Sequence, residues 1–284
     1  MMKKSCFFLP ICLLLSAACQ KETTPPSPVL VVEGWIENGS APVVMLSESI
    51  PVTDNSEITP SDMLGRIAKW ARVTVSDGTR TVVLTGMTDI EYFPPYIYTS
   101  GRMKGEVGKS YTLTVEYKDY KATATTTIPE PVPIDTVFVR QVKDSLCTAV
   151  CAFTDPLPKG NYYKVFTRTE GMDQHYHPSA LAFSSDDQLD GYSEIFLYST
   201  QRLMDHADMP NIHLGDSLWI KLCTMDRKSF EYWSNFEMTL AGNIYSTPIA
   251  RSSLEGNVEG ASGYWIGYGV EKEKLLDTSE YSEE

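Results

Sequence analysis

The stretch His175-Tyr176-His177 sets two imidazoles one residue apart, and on an extended chain both point to the same side. Two neutral imidazoles can begin a metal site, which needs at least a third ligand; His206, His213 and nearby acids are the candidates. Ten residues on, "DDQLDG" (186–191) puts Asp186, Gln188 and Asp190 on alternate positions with Gly191 after them, the opening of a calcium loop. The loop lacks its acid at the twelfth position, where Leu197 stands, and Glu194 would have to serve in an irregular site. An acidic turn and a polar loop explain both stretches without a metal, so His175, His177, Asp186 and Asp190 are weak ligand candidates.

A third cluster is aromatic. "EYFPPYIYTSGRM" (91–103) gathers Tyr92, Phe93, Tyr96 and Tyr98 around two prolines, in a segment that reads as a loop. Tyrosine rings there could stack on a sugar or pack against a partner. Inward-facing strand aromatics would explain the same residues. Beyond these, the chain holds no Gly-x-Ser-x-Gly elbow, no phosphate-cradling glycine loop and no zinc-protease helix motif. No pair of carboxylates has a spacing that marks acid–base work. The residues point away from an enzyme and call for no cofactor.

Cys19 is the remaining chemical residue. Lys3 and Lys4 precede an apolar run from Cys6 to Leu15, and Ser16-Ala17-Ala18 lead into the cysteine. A charged start, a short apolar core and small residues at the cut make a secretory signal over residues 1–18. The core is too short to span a bilayer, which takes about 20 apolar residues. A cysteine directly after the small residues resembles the lipobox of bacterial lipoproteins, in which it is lipidated and becomes the first mature residue. Ser16 departs from the leucine usual there. Residues 19–28, with prolines, threonines and no apolar residue after the cysteine, read as a flexible tether. Lys21-Glu22 resembles the short charged signal that sends some Gram-negative lipoproteins to the outer face of the outer membrane. Both a surface-exposed and a periplasmic-facing anchor stay open.

These residues need a frame, and the frame is β. "VLVVEGWIE", "PVVMLSES", "ARVTVSDG", "TRTVVLTG", "SYTLTVEY" and "KATATTTIP" are short alternating runs set apart by turn residues such as Asp77-Gly78. Together they predict an immunoglobulin-like sandwich over residues 29–129. "SDMLGRIAKW" (61–70) is either a short helix or a linking loop. Three prolines in "IPEPVP" (128–133) end this unit. A second, β-rich domain follows over 134–276. It carries one amphipathic helix at about 227–241, where Asp226 caps, Phe230, Trp233, Phe236 and Leu240 form an apolar stripe, and Gly242 ends the turn. Residues 277–284 are a charged tail expected to fray. Cys147, Cys151 and Cys223 read as small buried hydrophobes. Cys147 and Cys151 on one strand would have Cα atoms about 13 Å apart, too far to join.

The charge agrees with a solvated surface. Lys and Arg number 24 against 37 Asp and Glu, a net charge of −13, and cleavage after residue 18 would remove two lysines and no acid. So acidic a chain is a poor partner for nucleic acid.

The order of "LVVEGWIENG…PVVMLS", "ARVTVSDG", "GKSYTLTVEY", "TTTIPEPVPIDTV", "FTDP…GNYYKV" and "NVEGASGYWIGYG" resembles a lipoprotein family known as domain of unknown function 4249. Ala261-Ser262 interrupt the glycine run usual after the terminal Asn-x-Glu-Gly. The resemblance implies an outer-membrane lipoprotein whose gene neighbours a TonB-dependent transporter, and it carries no catalytic residue with it. The function expected is therefore a lipid-anchored binding or accessory component working with such a transporter in nutrient uptake. A structural or adhesive surface protein, and more weakly a metal-dependent hydrolase, are the alternatives.

Overall fold

The computed structural model describes residues 28–50, 59–186, 191–197, 212–244 and 256–282. Cys19, His206 and Asp190 lie outside them. The first half contributes β1 (Leu30–Glu37), β2 (Val43–Glu48), helix α1 (Pro60–Leu64), β3 (Arg72–Ser76), β4 (Thr81–Val83), β5 (Thr85–Met87), β6 (Ile97–Thr99), β7 (Ser110–Tyr117) and β8 (Tyr120–Thr127). The alternation read from the sequence is the alternation of burial. Along β1, Leu30, Val32 and Ile36 enter the core, while Glu33, Trp35 and Glu37 turn the other way. Helix α1 is a single turn, capped reciprocally by Thr59 and Asp62.

One sheet of this sandwich has the order β4-β3-β7-β8, and the other contains β1-β2-β6-β5. Residues 79–86 are thus two short strands in different sheets rather than one. Buried Leu84 sits at the crossing, pinned by its N–H to the Val73 carbonyl at 2.9 Å.

The second half supplies β9 (Thr136–Lys143), β10 (Leu146–Thr154), β11 (Tyr162–Thr169), β12 (His177–Ser185), β13 (Tyr192–Leu197), β14 (Ile212–His213), β15 (Ser217–Met225), helix α2 (Arg227–Ile244), β16 (Ser262–Tyr268) and β17 (Lys274–Asp277). Strands β13-β10-β14 with β9 face the sheet β12-β11-β15-β17 across a core that includes Phe153, Tyr163 and Val165. Cys147, Cys151 and Cys223 are free, buried thiols.

Three details depart from the sequence reading. The tail does not fray at 277: Leu276 is buried, Thr278 is fully buried, and the Thr278 hydroxyl accepts from the Gly215 N–H at 2.8 Å. That bond and the pairing of β17 with β15 hold the segment down. Helix α2 runs past Gly242 to Ile244, because an interior glycine costs a helix only about 1 kcal/mol. Its start is as expected, with the Ser229 N–H on Asp226 Oδ1 at 2.8 Å.

The third departure is the largest. Residues 262–268, assigned by sequence to the second domain, form the outer strand of the first sheet. They run parallel to β1 from Val31↔Ser262 to Glu37↔Tyr268. Trp265 is fully buried in the first core, and its indole N–H reaches the Tyr111 carbonyl at 2.9 Å. Asn257 clamps the same residue, accepting from its N–H at 2.8 Å and donating to its carbonyl at 2.7 Å. Gly263 has φ +115°, and a Cβ there would lie 1.9 Å from the Val32 carbonyl oxygen, so only glycine fits. The opposite face of β16 presents Tyr264, Ile266 and Tyr268 to Tyr162, Cys223, Met225 and Trp233 of the second half. One strand therefore belongs to two cores.

Candidate ligand cleft between the two halves

The outward face of β1 is the floor of a cavity of about 710 Å³. In register, Glu33 lies between Met45 of β2 and Tyr264 of β16, and Trp35 lies between Val43 and Ile266. The first half adds the 89–95 loop, with Ile90, Glu91, Tyr92 and Phe93. The second half adds Phe166 of β11, Lys221 of β15, Trp233 of α2 and the segment Asp173 to Pro178. A volume in the range of about 300–1,000 Å³ with mostly apolar walls and few polar groups is the usual form of a small-molecule site.

Aromatic rings close the cleft from both sides. Tyr92 stacks on His175 with centroids 4.5 Å apart and planes 23° apart, and Trp35 lies 6.0 Å from Tyr92. His175 Nε2 is 3.2 Å from Asp89 Oδ2. His177 Nε2 stands 3.7 Å from Asp173 Oδ1, and burial lowers the pKa of this imidazole. Two clusters that look unrelated in the sequence, Tyr92-Phe93 and His175-His177, thus meet across one cleft.

Its charges are few and unevenly matched. Lys221 donates from Nζ to Glu37 Oε1 at 2.6 Å and lies 4.5 Å from the Tyr176 ring centre and 5.5 Å from that of Phe166. Burial is the largest single influence on this ammonium and would lower its pKa, but the charge and hydrogen bond of Glu37, with Cys223 and Glu273, together outweigh it and the pKa rises. Glu33 makes no hydrogen bond or ion pair among the described residues, and burial pushes its carboxyl up to about 7. Behind the wall, Lys164 and Glu237 form an ion pair at 2.5 Å with both side chains fully buried. Lys164 also donates to the Ser179 carbonyl at 2.6 Å, and Glu237 accepts from the Leu181 N–H at 2.6 Å. The pair fastens α2, and with it Trp233, to β11 and β12.

The other candidates serve the fold. Tyr98 shares a register position with Val44 and therefore points into the first core, where its hydroxyl donates to the Ala68 carbonyl at 2.7 Å. Tyr96 packs edge-on against Tyr98, centroids 5.5 Å apart. Asp186 is fully buried away from the histidines and accepts the N–H groups of Gly160 at 2.5 Å and Asn161 at 3.0 Å, closing a loop. His213 lies on β14, in the sheet that does not line the cleft. Among the described residues no three His, Cys, Asp or Glu side chains gather as a metal set. The helical stripe Phe230, Trp233 and Phe236 packs as expected, and Trp233 also faces the cleft.

Sequence reasoning missed Glu33, Trp35, Glu37 and Lys221. The signals were present: "VEGWIE" alternates two acids and a tryptophan on one strand face, and Lys221 interrupts the apolar run "LWIKLC".

Over residues 19–274 the chain matches the model of a family described as Domain of unknown function (DUF4249). The chain belongs to this family. No curated protein matches this DUF4249 member. Among solved structures it is similar to a cytokine receptor complex at 8% identity, covering 88% of this chain and 96% of that one, with a TM-score of 0.26. It is also similar to the FN1–FN3 domains of chicken CNTN1 at 10% identity, with coverage of 88% and 65% and a TM-score of 0.26. A two-domain fibronectin type III segment of chicken tenascin is similar at 11% identity, with coverage of 69% and 90% and a TM-score of 0.22.

Proposed function

We propose that this protein is a lipid-anchored, non-catalytic binding component of the outer membrane. On this reading it captures a small ligand in its central cleft and works with a TonB-dependent transporter in nutrient uptake. The observation that carries the reading is the cleft itself, about 710 Å³ with aromatic walls from both halves of the chain. The anchor rests on Cys19 and the signal-like residues before it, and the transporter on the family resemblance. Binding rather than conversion is favoured by how the polar groups are used. His175 and Glu37 are engaged in pairs that join the walls, and all three described thiols are buried, with their pKa values raised chiefly by that burial.

Each element has its test. A small-molecule library is screened by ligand-observed NMR against the full chain and an Ala41→Trp variant that narrows the cleft. Binders that lose contact in the variant support the site; a library with none rejects it. Mild crosslinking in cells followed by purification recovers the transporter, and its consistent absence overturns that part of the reading. Cys19→Ser is expected in the soluble fraction; membrane retention like the wild type removes the anchor.

A further inference from the structure

The cleft contains two arrangements built from the same parts. In the first, the Lys221 ammonium meets the Glu37 carboxylate at 2.6 Å and sits over the rings of Phe166 and Tyr176. Rings attract a cation through the negative charge of their faces, and the carboxylate supplies a charge-assisted hydrogen bond. The second is centred on Glu33, with Trp35 two residues along the same strand face and Tyr264 directly across from it on β16. Here too a carboxylate lies among rings, and no lysine or arginine of the described residues joins it.

Charge in the cavity runs one way. Glu33, Glu37, Glu91, Asp173 and Glu273 line it against Lys221 as its lysine. Glu37 is matched by that lysine, and Asp173 is occupied by the Thr169 N–H at 2.8 Å and by His177. Glu33 keeps its full hydrogen-bonding capacity toward the cavity. An ionised carboxylate out of water is costly unless a cation meets it. An anionic ligand would face the acids unaided, and a neutral one would leave the Glu33 charge uncompensated.

On the reading of this cleft as a ligand site, we propose that its ligand carries a protonated amine on an apolar or aromatic body, with Glu33 taking the ammonium and Trp35 and Tyr264 flanking it. The body lies along the wall formed by Trp35, Tyr92 and Phe93.

The test uses two probes of one shape, 2-phenylethylamine and 2-phenylethanol, titrated into the full chain in detergent at pH 8. The amine binds, and the alcohol binds about tenfold more weakly or less. Truncating one member of a buried charge pair loses about 30-fold in affinity. Glu33→Gln therefore weakens the amine by about that factor and leaves the alcohol unchanged. The amine is also lost as pH falls from 8 to 6 and Glu33 takes up its proton. Tyr264 of β16 and Tyr232 of α2 interact with Glu33, and Lys221 of β15, Glu37 of its own strand, and Glu91, Tyr92, Asp173, His175, Tyr176, His177, Tyr268 and Glu273 are the other titratable groups lining the cavity. Running the pH series on Glu33→Gln separates their contribution, and that profile is expected to be flat for the amine. Equal binding of amine and alcohol, retention of amine affinity in Glu33→Gln, or no amine binding at all overturns the proposal. Equal binding that Ala41→Trp abolishes rejects the ammonium and leaves the ligand site standing. Failure of both probes together with an empty library screen removes both.

Discussion

Tyr92 and Tyr98 stand six residues apart in one aromatic run, yet one walls the cleft and the other fills a core. What separates them is the short strand β6, whose register with β2 turns Tyr98 inward beside Val44. Composition marked the segment as aromatic; a three-residue strand is too brief to announce which rings it buries. The same scale carries two predictions. Lys164→Met removes the cation of a fully buried pair and leaves Glu237 uncompensated, so urea denaturation is expected to show a loss of about 3–5 kcal/mol. Adding Glu237→Leu recovers most of it; a double variant no better than the single one would mean that the ion pair is not the reason. Glu33 has its pKa raised by burial from 4.5 to about 7. The proton is held more tightly in the folded chain, so this group's stabilising contribution is complete below pH 4.5 and is lost as pH rises through 7. Glu33→Gln should accordingly raise stability by about 3 kcal/mol at pH 8 and change little at pH 4. A variant equally stable to wild type at both pH values would show that the carboxyl is better solvated than its setting indicates.

Strand β16 was legible as a strand and illegible as a neighbour. Its glycines and aromatics announce an extended closing segment, but no local pattern encodes a parallel pairing with a strand more than two hundred residues away. Gly263 is the point at which that pairing is most exposed to test. Gly263→Ala places a methyl on the Val32 carbonyl and forces an unfavourable φ, and is expected to cost about 3 kcal/mol or more in thermal or chemical unfolding. A substitution tolerated within about 0.5 kcal/mol would mean that β16 does not dock as described. Helix α2 was read correctly because its stripe repeats over several turns, whereas its end was not. One glycine weighs little against the packing of Phe230, Trp233 and Phe236.

The molecule has two sandwich cores and a third apolar cluster between them, to which β16, β15 and α2 all contribute. Further links cross the same junction. Asn38 donates to the Val270 carbonyl at 2.8 Å and accepts its N–H at 2.7 Å, and Lys221 reaches Glu37. Cores joined through a common apolar cluster lose stability together, so calorimetry is expected to show one unfolding transition with equal calorimetric and van't Hoff enthalpies. Two resolved transitions would mean that the halves are independent. The sequence divided the chain at the prolines of 128–133, between β8 and β9. It could not show the return of the chain, nor therefore the cleft, whose walls are far apart along the sequence and adjacent only after β16 docks.

That return also sets an order of events. The strand that flanks β1 is synthesised more than two hundred residues after it, and Trp265, which fills the first core, arrives with it. A chain that emerges amino terminus first therefore carries an open edge on β1 and an unfilled core until residue 268 is free. For as long as that lasts, the first sheet depends on a strand made much later, and any chaperone that meets the growing chain has a defined surface to protect.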